Sequence, residues 1–154
     1  MGRAEDSSPS DHNSLSFMEQ YDLRHVLAEV ACGTRILLVD DDILNQAAML
    51  RLLQHLGFSL VDTARNGAEA VNLVKRSPFS YDCILLDITM PVMDGLEAAS
   101  QIREIDTDVL LIALTGNVSK GTAVASLSKG MNDCITKPIH QKQLMRALLK
   151  LLKT

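Results

Sequence analysis

The chain has 154 residues, enough for one domain of ordinary size and an extension, and 47% of them are apolar, which is ample for a hydrophobic core. Acidic and basic residues are mixed along the chain and sum to a net charge of −4, which argues against the clustered basic face of a nucleic-acid-binding protein. Cys32, Cys83 and Cys134 lie far apart without CxxC spacing, so neither a disulfide framework nor a zinc site is predicted, and a reducing compartment is expected.

A polar segment and a candidate helix precede the first predicted strand. Residues 1–13 carry no periodic pattern and are predicted to be a disordered tail. Ser16 and Glu19 have capping-box spacing and Gly33 is a suitable stop, so residues 14–33 are predicted to hold a linker helix packed on the domain, with a dimerising or partner-binding helix as the alternative. Because the N-terminus does not resemble a signal peptide and no apolar run approaches ~20 residues, we expect an intracellular protein, cytoplasmic or nuclear, without membrane insertion.

Predicted strands and helices alternate from residue 34 to residue 154. Short apolar runs predict strands at 36–39, 60–64, 83–86, 109–114 and 133–135. Helical patterns, several of them ended by Gly or Pro, predict helices at 44–56, 68–76, 95–104, 119–129 and 141–152. This alternation is typical of an α/β fold, a doubly wound five-stranded parallel sheet flanked by five helices, and residues 34–154 are predicted to form that domain.

Polar residues follow four of the predicted strands. In chain order they are Asp40, Asp41 and Asp42, then Asp87, then Thr115, and finally Lys137 before Pro138. Because the carboxyl ends of parallel strands converge on one crevice, we expect these side chains to meet there. Acids, a hydroxyl and an ammonium at one sheet edge predict a site for a divalent cation and a phosphoryl group.

The chemistry of this site centres on Asp87. Its carboxylate is predicted to attack a phosphoryl group and form an aspartyl phosphate. A magnesium ion, with manganese as the alternative, would be held by a few carboxylates, and Lys137 would neutralise further charge on the incoming oxygens. The Thr115 hydroxyl is predicted to donate to a phosphate oxygen, a cis peptide bond at Lys137–Pro138 would aim the lysine inward, and residues 90–95 predict a tight loop over the nucleophile.

Each of these features is a weak signal by itself. An Asp run at a strand end is more often a solvated turn or a helix cap than a metal site, and Thr or Lys-Pro in a loop is common. The order of the features, with strand and helix units in every interval between them, favours the joint interpretation over the separate ones.

Four segments together resemble the receiver domain of two-component response regulators, most of all the receivers of eukaryotic-type hybrid histidine kinases. They are ILLVDDD (36–42), ILLDITMPVMDG (84–95), IALTGN (112–117) and GMNDCITKPI (130–139). The resemblance covers residues 35–153 and implies a flavodoxin-like sheet with strand order 2-1-3-4-5. It implies that Asp87 accepts a phosphoryl group from a histidine kinase or a histidine phosphotransfer protein, and that the chain dephosphorylates itself slowly without being a conventional turnover enzyme.

The same resemblance implies roles for individual residues and leaves the context of the chain open. Asp40 and Asp41, with Asp87 and the main-chain carbonyl of Thr89, would bind Mg²⁺. Thr115 and Lys137 would contact the phosphate, these two and the acceptor forming the catalytic set. The chain is expected to work alone or within a larger hybrid kinase or regulator, without binding nucleic acid.

Two residues depart from the family pattern. Cys134 stands where many receivers have Tyr or Phe, so an output that depends on the rotation of an aromatic ring is in doubt. Asp42 stands where receivers of hybrid kinases often have Asn, and a third acid near the ion would change the metal affinity or the lifetime of the phosphate.

Two other functions remain open at this point. A haloacid-dehalogenase-like phosphohydrolase also uses Asp nucleophiles at strand ends, and Asp40 with Asp42 superficially fits its motif; turnover of a small phosphomonoester would identify it. A receiver-like interaction module that is never phosphorylated is the second alternative.

Two surfaces are predicted to meet partners. The helix at 44–56 is unusually apolar, and its residues Met49 and Leu53 are candidates for a patch that docks the phosphoryl donor. The signalling face is predicted to comprise the helix at 119–129, the fifth strand and the final helix.

Overall fold

A computed structural model of the protein describes residues 17–88, 93–116 and 120–152. Its elements in chain order are α1 (Phe17–Ala31), β1 (Arg35–Val39), α2 (Ile43–His55), β2 (Leu60–Ala64), α3 (Gly67–Arg76), β3 (Cys83–Asp87), α4 (Gly95–Ile105), β4 (Leu110–Thr115), α5 (Lys120–Ser128), β5 (Asp133–Thr136) and α6 (Gln141–Leu152). All strand pairs are parallel and the sheet order is β2-β1-β3-β4-β5. The predicted doubly wound sheet and its strand order are therefore confirmed.

The central strands are buried on both faces because their sequences are almost entirely apolar. Alternate residues of β1 point to opposite sides of the sheet, so Ile36 and Leu38 join one core cluster while Leu37 and Val39 join the other. The first cluster includes residues of α1, α2 and α6, and the second includes residues of α3 and α4. The polar β2, as predicted, forms an edge of the sheet.

Helix α1 packs onto the sheet-forming part of the chain. Leu27 and Ala31 are buried in the first core cluster, and α1 contacts α6. Gly57, at φ +106°, follows α2, and a Cβ there would lie 3.3 Å from the Cα of Ala28. The helix predicted within residues 14–33 is thus present and packed on the domain, while the predicted tail at 1–13 lies outside the described residues. The division into tail, linker helix and domain stays a prediction.

The prediction of a docking patch at Met49 and Leu53 is wrong. Met49 is 7% exposed and Leu53 is fully buried, since both lie on the face of α2 that packs against the sheet. The large apolar side chains exposed on this helix are instead those of Ile43 and Leu44 at its start, with 64% and 80% of their surfaces exposed. Among the described helices, none has both the length and the apolar character that a transmembrane span requires.

Candidate functional site

The polar residues predicted at the strand ends lie along one edge of the sheet. Asp40 follows β1, Asp87 ends β3, Thr115 ends β4 and Lys137 follows β5. Asp87 is in register with Leu114, so Thr115 lies one residue further along the neighbouring strand. The parallel arrangement of the strands is what brings residues from distant parts of the sequence to this edge.

Three carboxylates form an acidic cluster there. Oxygen atoms of Asp40, Asp41 and Asp87 all lie within 4.8 Å of one another. Asp40 and Asp87 are buried, whereas Asp41 is exposed. Carboxylates at this spacing repel one another, and a hard divalent cation with oxygen ligands relieves the repulsion. The donor set therefore fits Mg²⁺.

Lys137 brings positive charge to the acidic cluster. Its Nζ lies 3.2 Å from Oδ2 of Asp87 and 3.3 Å from Oδ2 of Asp40. The Lys137–Pro138 peptide bond is cis, as predicted, and the Lys137 N–H donates to the carbonyl oxygen of Thr115 at 2.7 Å. Burial by itself lowers the pKa of Lys137, but the charges of Asp87 and Asp40 and the hydrogen bonds to them outweigh burial and raise this pKa. The lysine is therefore a cation under ordinary conditions.

Two threonines complete the predicted set of site residues. Thr115 is 1% exposed at the end of β4. Its role as a donor to phosphate stays a prediction. Thr89, whose carbonyl is expected to be a metal ligand, lies outside the described residues.

Asp42 caps a helix. Its carboxylate accepts hydrogen bonds from the N–H groups of Leu44 at 2.9 Å and Asn45 at 3.3 Å, which makes it the N-cap of α2. The acidic cluster of the described residues does not include Asp42. Capping therefore accounts for the third acid of the run, and within the described residues Asp42 does not join Asp40 in the acidic cluster.

Gly95 lets the start of α4 pack closely against the backbone of Asp87 and Ile88, directly behind the acidic cluster. A Cβ at Gly95 would collide with the carbonyl oxygen of Asp87 and would lie 2.5 Å from the Cα of Ile88. The Gly95 N–H donates to the carbonyl oxygen of Ile88 at 3.2 Å, and the preceding Asp94 caps α4. The sequence signal here was the turn composition of residues 90–95, which predicts a tight loop but does not reveal the contact with the β3 backbone.

Gln46 positions the end of β1 and was missed by the sequence analysis. Its Nε2 donates to the carbonyl oxygens of Asp40 at 3.2 Å and of Ala64 at 3.1 Å. The Asp40 N–H donates to the same Ala64 oxygen, and Oδ1 of Asp40 accepts from the N–H of Asp42 at 2.9 Å. These bonds hold the backbone of Asp40 in place. A polar residue in the first turn of an apolar helix was the one available signal.

Cys134 behaves as a small apolar residue. Its half-buried side chain packs against the second core cluster and forms a hydrogen bond with Ser126, which is fully buried. Burial raises the pKa of the Cys134 thiol, and the bond to Ser126 offsets only part of this effect. The thiol is therefore neutral.

Comparison with known proteins identifies relatives over most of the chain. A model of the response regulator receiver domain matches residues 36–149. Two-component system protein A of Emericella nidulans is 48% identical over 124 residues, which are 80% of this chain and 18% of that protein. Hybrid signal transduction histidine kinase B of Dictyostelium discoideum is 37% identical over 75% of this chain and 6% of its own length. The chain thus spans less than a fifth of either relative.

Solved structures show the same fold. The receiver domain of a sensor histidine kinase from Pseudomonas aeruginosa, with a magnesium ion coordinated in its active-site cleft, has a TM-score of 0.71 and 36% identity, covering 79% of this chain and 99% of that one. A receiver domain from Saccharomyces cerevisiae, crystallised with its histidine phosphotransfer protein, has a TM-score of 0.70 and 31% identity, covering 77% and 88%. These matches favour the receiver interpretation and give no support to the phosphohydrolase alternative.

Proposed function

The chain belongs to the response regulator receiver domain family, and from this premise we propose that it is the phosphoacceptor module of a His-to-Asp phosphorelay. The observation that carries the proposal is the acidic cluster with its lysine. Asp87 lies at the end of a central strand with oxygens of Asp40 and Asp41 within 4.8 Å, and Lys137 Nζ lies 3.2 Å from it. This arrangement can neutralise an anionic phosphoryl group as it meets an anionic nucleophile.

In the proposed reaction, an oxygen of the Asp87 carboxylate bonds to the phosphorus of a phosphohistidine. The phosphorus–nitrogen bond breaks, and its electron pair stays on the imidazole nitrogen. Lys137, already beside Asp87, neutralises charge on the transferred oxygens. The Thr115 hydroxyl donates to one of them, consistent with its place beside Asp87 in the sheet.

Asp40, Asp41 and Asp87 are the proposed Mg²⁺ ligands, with the main-chain carbonyl of Thr89 as a further ligand and Mn²⁺ as the alternative ion. When bound, the ion supplies neutralising charge to the phosphate oxygens. The oxygen-only donor set and the magnesium-bound receiver from P. aeruginosa support this assignment.

In this proposal the chain acts as a signalling module and not as a turnover enzyme. Asp87 keeps the phosphoryl group on its own side chain, and water removes it slowly, which resets the module. The free cysteines, Cys32, Cys83 and Cys134, suit a reducing intracellular compartment, cytoplasmic or nuclear. Since its relatives include hybrid kinases, the module is proposed to function within a larger protein or alone in such a relay.

The proposed phosphoryl donor, a histidine kinase or a histidine phosphotransfer protein, docks at the start of α2. Ile43 and Leu44 are exposed immediately after the Asp40–Asp42 run. A cavity of about 210 Å³ adjoins the acidic cluster, lined by Asp40, Asn45 and Lys137 and otherwise by apolar residues. Apolar surface next to the acceptor is suited to a partner helix, and the S. cerevisiae complex supports a partner of this class.

Intact mass tests the proposal. The wild type, Asp87→Asn and Asp82→Asn are incubated with Mg²⁺ and a small acyl phosphate; Asp82 immediately precedes β3, whose last residue is Asp87, and is the matched control. We expect one added phosphoryl group on the wild type and on Asp82→Asn, and none on Asp87→Asn. Equal phosphorylation of Asp87→Asn would contradict the assignment. No addition to any of them, also from a phosphohistidine donor, would favour the module that is never phosphorylated.

A further inference from the structure

Two of the proposed metal ligands, Asp40 and Asp41, lie just beyond the point where β1 stops pairing with β2. Val39 and Ala64 are the last residues in register, and the Asp40 N–H still donates to the carbonyl oxygen of Ala64 at 3.1 Å. After Asp40 the chain leaves the sheet and enters α2. Because Asp40 is only 3% exposed, its carbonyl oxygen needs a hydrogen-bond donor from the protein.

The side chain of Gln46 supplies that donor. Its Nε2 lies 3.2 Å from the carbonyl oxygen of Asp40 and 3.1 Å from that of Ala64. Because both partners can only accept, the amide nitrogen must face them, and each of its two hydrogens has a partner. The Gln46 N–H in turn donates to the carbonyl oxygen of Asp42, the N-cap of α2, at 2.9 Å. The half-buried amide is therefore held by the helix and ties the end of β1 to the end of β2.

The carbonyl oxygen of Asp40 controls the direction of two carboxylates. It belongs to the planar peptide unit that joins Asp40 to Asp41, so a rotation of this unit would turn both residues. The Asp40 carboxylate itself accepts from the Asp42 N–H at 2.9 Å and lies 3.3 Å from Lys137 Nζ. Asp41 is exposed, and its backbone brings its carboxylate within 4.8 Å of those of Asp40 and Asp87. Gln46 thus holds the unit that aims both acids at one point.

We propose that Gln46 is a positioning residue for the metal site and that its hydrogen-bond donors set the affinity of the acidic cluster for Mg²⁺. The inference rests on the proposed function, which assigns Mg²⁺ to Asp40, Asp41 and Asp87. Gln46 acts through the Asp40–Asp41 peptide unit and not as a ligand. Loss of a partner that orients metal ligands in this way typically weakens metal binding by about 10- to 100-fold.

Substitutions that separate hydrogen-bond donors from charge test the proposal. Gln46→Glu removes the donors and adds a negative charge, which by Coulomb attraction alone would strengthen Mg²⁺ binding. Gln46→Met removes the donors without a change of charge. Gln46→Lys keeps donors at this position but adds a positive charge, which by itself would weaken binding. Gln54→Glu makes the first change at an exposed position of the same helix and is the matched control.

Nuclear magnetic resonance titrations of the folded, unphosphorylated proteins measure the dissociation constant for Mg²⁺ from backbone amide chemical shifts. We expect Gln46→Glu and Gln46→Met to bind Mg²⁺ about tenfold more weakly than the wild type, and Gln46→Lys and Gln54→Glu to stay within about threefold of it. Urea denaturation measures stability separately. Lower urea midpoints with unchanged Mg²⁺ affinity would show a purely structural role and overturn the proposal. Tighter binding by Gln46→Glu and weaker binding by Gln46→Lys, the order that charge alone dictates, would also overturn it.

The wild type and Asp41→Asn separate this inference from the proposed function. If the wild type binds no Mg²⁺, the assignment of the metal site is wrong, and the role of Gln46 is wrong with it. If Asp41→Asn weakens binding but Gln46→Glu and Gln46→Met do not, the metal site is supported and only the role of Gln46 is wrong.

Discussion

The two ends of the parallel sheet hold charged residues in opposite ways. At the carboxyl end, the three carboxylates of the acidic cluster lie within 4.8 Å of one another and two of them share Lys137. At the amino end, opposite charges are paired. Arg35 lies 3.3 Å from Asp62 and over the ring of Tyr81, whose hydroxyl donates to Asp62 at 2.6 Å.

A second charged residue at the amino end, Arg103, is held by neutral acceptors. Arg103 donates to the carbonyl oxygens of Gly130 at 2.9 Å, Val109 at 2.6 Å and Asp106 at 3.2 Å, and to Oδ1 of Asn132 at 2.9 Å. It ties the end of α4 to the segments that enter β4 and β5. The amino end thus uses charge to hold loops in place, whereas the carboxyl end concentrates negative charge that a cation can compensate.

The largest effect is expected at the amino end. Arg103→Ala removes four hydrogen bonds from a charged, partly buried donor, so we expect the free energy of unfolding to fall by about 3 kcal/mol. Urea denaturation measures this, with Arg51→Ala, an exposed arginine of α2, as the control. Phosphorylation of the folded variant should be unchanged. An unchanged urea midpoint together with lost phosphorylation would reverse the roles assigned to the two ends.

Two substitutions that each remove one carboxylate charge with little change of shape compare the ends directly. Without Mg²⁺, Asp41→Asn relieves repulsion in the acidic cluster and should raise the free energy of unfolding by about 0.5 kcal/mol. Asp62→Asn loses its ion pair with Arg35 and should lower the free energy of unfolding by about 1 kcal/mol. Urea denaturation with and without Mg²⁺ measures both. Added Mg²⁺ should stabilise Asp62→Asn as much as the wild type, and Asp41→Asn much less. An equal response of both variants would remove Asp41 from the ligand set.

The pH dependence of the free energy of unfolding tests the pairing of Tyr81 with Asp62 at the amino end. Burial, followed by the hydrogen bond and the charge of Asp62, raises the pKa of Tyr81 to about 12 from an ordinary value of 10.0. Between these values the unfolded chain holds fewer protons than the folded one, so stability is intact below pH 10 and falls as the pH rises towards 12. Urea midpoints of the wild type and Tyr81→Phe across this range measure the difference. Identical pH profiles for the two proteins would show that folding does not raise the pKa of Tyr81.

The last prediction compares the two ends of β3 by the reactivity of the Cys83 thiol. Asp87 and Cys83 are both buried, but Cys83 has no cation beside it in the described structure, and burial raises its pKa to about 12. We expect a disulfide reagent to label the exposed Cys32 quickly in the native protein, and Cys83 only on unfolding. Peptide mapping after timed labelling identifies the sites. Rapid labelling of Cys83 would show that this end of the strand opens readily.

Most strands were predictable because each is a short apolar run that ends in a polar residue. That local pattern placed Asp40, Asp87, Thr115 and Lys137 at strand ends. The parallel topology then brought these strand ends to one edge of the sheet. The prediction of a docking patch at Met49 and Leu53 of α2 failed, because a helix with apolar residues on several sides does not show in its sequence which side packs against the sheet.

The amino-acid sequence by itself determined the alternation of elements and the residue types at each strand end, since both are local properties of the chain. Only the tertiary structure decided that Asp42 caps α2 while Asp41 joins the acidic cluster, and that Gly95 must lack a side chain behind Asp87. Adjacent residues of one polar run differ in their partners because the direction of a side chain depends on backbone angles and on packing against distant segments.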